Sequence, residues 1–236
     1  MKFLVLQHLA VEHPGVFRDF LAEDGFDLFT VELDQGQAIP SLEAFDAMMV
    51  MGGPQDTWLE DEFPWLKAEK AAIRRFVQDL GRPYIGLCLG HQLLADALGG
   101  RVGPGSSPEV GALTITQTEA GRADPLFQGV PDPIEVLQWH GAEVKSLPNG
   151  AVHLARSDAC EIQAFRYGRH AYGLQCHVEA TRDTVGDWAA IPEYARALEA
   201  TLGPGSVERL DREVADRLPI YTSVARTLYT NFKSLF

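Results

Sequence analysis

A chain of 236 residues, 46% hydrophobic and 22% charged, holds enough apolar material for a sizeable core and too little charge for disorder. Its net charge of −13 argues against nucleic acid, whose phosphates call for clustered Lys and Arg. Three cysteines (Cys88, Cys160 and Cys176) make no disulfide framework, the opening MKFLVLQHLAVEHPG lacks a signal-peptide core, and no segment is long and apolar enough for a membrane span, so a cytoplasmic protein with reduced thiols is expected.

Taken in chain order, the elements alternate. KFLVLQH (2–8) reads as a strand, and GVFRDFLAEDG (15–25) as a helix with Val16, Phe17, Phe20 and Leu21 on one face, closed by Gly25. FDLFTVEL (26–33) and AFDAMMVMGG (44–53) read as strands, the second running into glycines. PWLKAEKAAIRRFVQDLG (64–81) is an amphipathic helix with Pro64 near its start and Gly81 at its end. PYIGLC (83–88) is a fully apolar strand, and LGHQLLADALGG (89–100) the helix after it. From 101 to 175 strand patterns follow one another with few helices between them: GALTITQT, IEVLQWH, AVHLARS, EIQAFRY and HAYGLQCH. Antiparallel pairing is expected there. After 180 the chain returns to helix, with breaks expected at GPGS (203–206) and at Pro219. The pattern predicts one α/β domain over 1–236, with a C-terminal helical extension from about 181. Its sheet should be doubly wound, mostly parallel and flavodoxin-like, with helices on both faces and an added antiparallel region.

The segment GLCLG (86–90) has the shape of a nucleophile elbow, a nucleophile between glycines where a strand turns into a helix. A turn that sharp strains its apex residue, and the flanking glycines keep neighbouring side chains clear. The apex projects at the carboxyl end of the sheet, where open α/β sheets place their ligands. A helix N-terminus favours thiolate over thiol, and its unpaired N–H groups can receive an oxyanion. A small buried cysteine filling space is the bland alternative for Cys88.

A nucleophilic cysteine needs a base, and the base needs a partner. In GLQCHVEAT (173–181), Gln175, His177 and Glu179 alternate at a strand end. If the chain stays extended they share a face, while Cys176 and Val178 point into the packing. The alternative is a surface His–Glu pair. In VMGGPQDTW (50–58) a buried strand ends in Gly52, Gly53 and Pro54. This reads either as a plain turn or as a source of backbone N–H that completes an oxyanion hole with Leu89.

GGP, GLCLGHQ and GLQCHVE, in this order on successive strand ends, resemble the class I, triad-type glutamine amidotransferase family, and within it the glutaminase domain of GMP synthase. The resemblance spans roughly residues 45–180. It implies Cys88 as nucleophile, His177 as base and Glu179 as its partner, with oxyanion donors at Gly53 and Leu89. It also implies substrate contacts from Gln92 and from Trp139 and His140 in LQWHGAEV (137–144), the segment resembling the loop that receives the amino-acid end of glutamine. Two positions depart from the family pattern: Val178 stands where proline is usual, and Ala142 where Asp follows the His-Gly. The second touches substrate recognition.

The implied reaction is hydrolysis of the side-chain amide of glutamine, or of a related γ-glutamyl compound, through a γ-glutamyl thioester, with no cofactor and no metal. About 55 residues follow Glu179, too few for an ATP-using synthetase, and no phosphate loop occurs. Released ammonia would therefore pass to a separate synthetase partner, or hydrolysis would be an end in itself. Competing readings are a flavodoxin-fold cysteine hydrolase of the deglycase kind, a catalytically silent γ-glutamyl-binding protein, and a metal site at the C-x-x-H of Cys88 and His91. The last would consume the nucleophile and lacks a second close-spaced ligand pair.

Overall fold

The computed structural model describes residues 1–235. Its sheet has nine strands: β1 (Lys2–Gln7), β2 (Asp27–Glu32), β3 (Ala47–Val50), β4 (Tyr84–Leu87), β5 (Arg101–Gln117), β6 (Ile134–Ser146), β7 (Ala151–Arg156), β8 (Ala164–Tyr167) and β9 (Ala171–Leu174). They lie in the order β2-β1-β3-β4-β9-β8-β7-β5-β6. The helices are α1 (Phe17–Glu23), α2 (Trp65–Arg74), α3 (Leu89–Ala97), α4 (Glu119–Ala123), α5 (Thr184–Ala189), α6 (Pro192–Leu202) and α7 (Ser206–Lys233).

Apolar runs rather than alternating ones mark the strands buried on both faces. In β1, Phe3 and Val5 join Phe17 of α1 and Leu228 of α7 on one side of the sheet. Leu4 and Leu6 join Leu66 and Ile73 of α2 and Leu93 of α3 on the other. These neighbours clamp β4 and α3 from both sides, and so place the turn between them.

The sheet is mixed, which corrects the expectation of a mostly parallel one. The pairs β2–β1, β1–β3, β3–β4 and β4–β9 are parallel. The pairs β9–β8, β8–β7, β7–β5 and β5–β6 are antiparallel. The reason is connection length: only residues 168–170 separate β8 from β9, far short of a parallel crossover. The antiparallel region is an extension of the same sheet, so the result is an α/β sandwich with a mixed central sheet between helical layers.

The break at 203–206 is present, since α6 ends at Leu202 and α7 begins at Ser206. The break at Pro219 is not. Helix α7 runs through it, burying Leu210 and Val214 before the proline and Tyr221, Val224 and Leu228 after it. Packing on both sides of Pro219 outweighs the lost hydrogen bond. No helix among the described residues is long and apolar enough to cross a membrane.

Candidate active site

Cys88 sits between β4 and α3 with φ 50° and ψ −103°, the only described non-glycine residue at positive φ. Such strain persists only where the surroundings over-determine it. Here the Cys88 N–H is held by the Leu174 carbonyl of β9 at 2.8 Å, and the Gly90 N–H by the Met51 carbonyl after β3 at 3.1 Å. Gly86 and Gly90 meet so closely that a Cβ on Gly86 would lie 2.4 Å from the Gly90 oxygen. Both glycines of the elbow are thus required by contact.

Beyond β9 the chain stays extended long enough to keep the predicted alternation. Cys176 and Val178 enter the core, while His177 and Glu179 face each other, Nδ1 to Oε1 at 2.6 Å. The other carboxylate oxygen accepts the Val178 N–H at 2.9 Å. His177 is clamped to Leu137 of β6 by a reciprocal backbone pair at 2.8 and 3.0 Å. Its ring meets Trp188 of α5 edge-on at 4.6 Å, and interacts with the Cys88 sulfur. Burial works against the imidazolium, but the charge and hydrogen bond of Glu179, with the Cys88 sulfur, hold His177 well above the ordinary histidine range.

The elbow opens into a cavity of about 180 Å³ whose lining includes Gly53, Cys88, Leu89, Gln92, Trp139 and His140. All the residues singled out for substrate or oxyanion contact thus converge on Cys88. Neither the Gly53 nor the Leu89 N–H donates a hydrogen bond to another described residue. Gln92 donates through Nε2 to the Ala142 carbonyl (3.1 Å) and to Gln175 Oε1 (3.0 Å), which ties the elbow helix to the loop around Ala142. Only its Oε1 remains for a ligand.

His91, the other half of the C-x-x-H, lies fully buried against Phe165 and Gly173 with its pKa lowered to about 3 by that burial. It packs the elbow helix onto β8 and β9.

Several contributors were not singled out from the sequence. His8 bonds the Gly52 carbonyl through Nδ1 at 2.8 Å and Glu69 through Nε2 at 2.9 Å, all of it buried. Burial opposes the charge on His8, but Glu69 and the Gly52 carbonyl raise its pKa, so an ion pair underlies the Gly52–Gly53 turn. The signal was legible: Glu69 falls on the apolar stripe of α2 between Leu66 and Ile73. Glu12 is buried beside Gly52, where a Cβ would lie 2.5 Å from its Oε2, and it accepts a hydrogen bond from Tyr194 of α6. Burial raises its pKa against the opposing pull of His177 and Tyr194. Tyr194 also lines the cavity, and with Trp139 and Trp188 it forms an aromatic wall over it. The C-terminal helices therefore do two things: α7 packs on the sheet, while α5 and α6 cover the site. No sequence spacing links Glu12 to Tyr194.

A strained cysteine at a helix N-terminus, a histidine–carboxylate pair beside it and free backbone N–H groups around one small cavity define the class of cysteine-nucleophile enzymes acting on acyl groups. The chain belongs to the class-I glutamine amidotransferase family, whose profile matches residues 19–188. It is 34% identical over 189 residues to the glutamine amidotransferase-like protein YfeJ of Salmonella typhimurium, covering 78% of each chain. It is 41% identical over 149 residues to the glutamine-hydrolyzing subunit of GMP synthase from Archaeoglobus fulgidus, covering 63% of this chain and 74% of that one. A glutamine amidotransferase from Thermotoga maritima superposes with a TM-score of 0.87 at 26% identity, over 98% of this chain and 97% of the other. That likeness extends past residue 188, so it takes in α6 and α7.

Proposed function

We propose that this protein hydrolyses the side-chain amide of glutamine, or of a compact γ-glutamyl relative, through a thioester on Cys88. The observation that carries the reading is the line from Cys88 to His177 to Glu179, closed by the 2.6 Å contact and placed at the floor of a small cavity. The Cys88 sulfur attacks the amide carbon, and the Gly53 and Leu89 N–H groups take the charge that develops on its oxygen. His177 gives its proton to the leaving nitrogen, the C–N bond breaks, and ammonia departs. Water then gives a proton to His177 as it attacks the thioester carbon, the C–S bond breaks, and glutamate leaves with Cys88 restored. Glu179 keeps the imidazole in register and balances its charge.

A cavity of about 180 Å³ suits an amino-acid-sized donor better than a drug-sized one, whose pockets start at roughly 300 Å³. Gln92 Oε1, Trp139 and His140 are placed to meet the amino-acid end, and Ala142 leaves the lining one carboxylate poorer than the family pattern. We assign the whole of 1–236 to one amidotransferase-like domain with a helical extension from about 181, because α5 and α6 supply part of the cavity wall. The relation to a GMP synthase subunit supports delivery of ammonia to a separate synthetase. The three free cysteines support a reducing cytoplasmic setting.

The test is glutamate release by the pure protein from glutamine, glutathione and γ-glutamyl dipeptides, with and without the Cys88→Ser change. Cysteine-dependent release from any of them supports the reading. No release from any, with the fold intact, would reject it in favour of a silent ligand-binding protein.

A further inference from the structure

Behind the substrate-facing side of His140 lies a second group of reactive side chains that the hydrolysis does not use. Glu109 of β5 stands opposite His140 of β6 in the strand register. The turn 157–160 brings Cys160 to them, its N–H on the Ser157 hydroxyl at 3.0 Å and its carbonyl on the Ser157 N–H at 2.9 Å. One donor atom from each of the three, a carboxylate oxygen, an imidazole nitrogen and a sulfur, lies within 4.8 Å of the other two, and all three residues are buried.

Hydrogen bonding decides what this group can hold. His140 Nδ1 contacts the Ala142 carbonyl at 3.0 Å, and a carbonyl only accepts, so Nδ1 carries a hydrogen. In the neutral ring this leaves Nε2 as a lone pair, 3.2 Å from Glu109 Oε2. That oxygen already accepts from Gln163 Nε2 at 2.7 Å, and Gln138 holds Gln163 in turn at 2.8 Å. Two lone pairs this close need a positive charge between them. A proton could serve, but it would make no use of the third donor. Imidazole bonded to a backbone carbonyl on its far nitrogen, and carboxylate supported by an amide relay, is the outer shell that metal ligands receive.

We propose that Glu109, His140 and Cys160 bind a thiophilic divalent cation of the Zn²⁺ type, with Glu143 as the fourth ligand. The Glu143 carboxylate accepts the hydrogen bond of the Cys160 thiol, and its side chain, 14% exposed, marks the open side of the group. Zinc takes sulfur, imidazole and carboxylate together at about 2.0–2.3 Å, which puts tetrahedral ligands roughly 3.3–3.8 Å apart, so the three close by about an ångström. Magnesium and calcium do not fit a donor set with sulfur and imidazole. Burial and the two neighbouring carboxylates push the Cys160 thiol up to about 12, so the metal must displace its proton. The balance is one thiol and one cation giving one metal thiolate and one proton.

Co²⁺ is the probe, titrated into the reduced, metal-free, full-length protein and followed by the near-ultraviolet thiolate-to-cobalt band, then displaced with Zn²⁺. A band saturating at one Co²⁺ per chain is expected, abolished by Cys160→Ser, weakened at least tenfold in affinity by the isosteric Glu109→Gln, and retained in Cys88→Ser. Zn²⁺ binding to the unmodified protein at neutral pH should release at least one proton per ion, a readout that needs no variant to fold. No band, a band that survives Cys160→Ser, a band lost with Cys88→Ser, or binding without proton release would each overturn the proposal.

Discussion

Replacing Glu179 by Gln removes the charge of the third active-site group while keeping its size. In the native site Oε1 takes the His177 Nδ1 hydrogen at 2.6 Å, and Oε2 takes the Val178 N–H at 2.9 Å. An amide has one acceptor for these two donors, so one contact turns into a clash of hydrogens. The lost charge-assisted hydrogen bond is worth about 1.5–3 kcal/mol, or roughly 10- to 150-fold in rate. With the added conflict, kcat should fall by about 10²-fold, while KM changes little because Glu179 does not line the cavity. The pH profile should move as well. His177 is held high by Glu179 against its own burial, so without the carboxylate its pKa drops. The imidazolium is the acid for the leaving nitrogen, and the alkaline limb of kcat/KM should shift to lower pH. Glutamate release across pH, with thermal unfolding as a control for the fold, measures both effects. His177→Ala should abolish turnover. An unchanged rate in Glu179→Gln, or an alkaline limb that stays in place, would refute the role assigned to this carboxylate.

A glutamine-like electrophile should label Cys88 alone, since Cys160 is pushed up to about 12 and Cys176 higher still by burial; equal labelling at Cys160 in mass mapping would contradict this. Glu69→Gln should cost about 3–5 kcal/mol in denaturant unfolding by leaving His8 without its buried partner, and a loss under 1 kcal/mol would show the pair to be dispensable. Because the folded pKa of His8 is raised, the pair's contribution is complete below the unfolded value of about 6.5 and fades as pH climbs through the folded value. Ala142→Asp should raise the ratio of kcat/KM for glutamine over a γ-glutamyl dipeptide by placing a carboxylate in the cavity lining; a flat or falling ratio would remove this position from substrate choice.

Local pattern by itself determined the parts of this protein whose physics is local. The elbow needs glycines at 86 and 90 because backbones touch there, and that requirement is written in five consecutive residues. The alternation at the end of β9 places His177 and Glu179 together through two-residue periodicity alone. Continuous apolar runs announced strands buried on both faces. Tertiary structure decided whatever depends on residues far apart in the chain. A proline ends a helix by local rules, yet α7 passes Pro219 because both of its halves are buried. The strands from 101 onward were visible, but their joining to the parallel half through β9 depended on pairing that no single segment encodes. The Glu12–Tyr194 contact at the cavity wall, the His8–Glu69 pair beneath the oxyanion turn and the Glu109–His140–Cys160 group join side chains 20 to 182 positions apart. Such pairs leave no spacing to read, because the chain is brought back by packing of the whole sheet and not by any repeat along it.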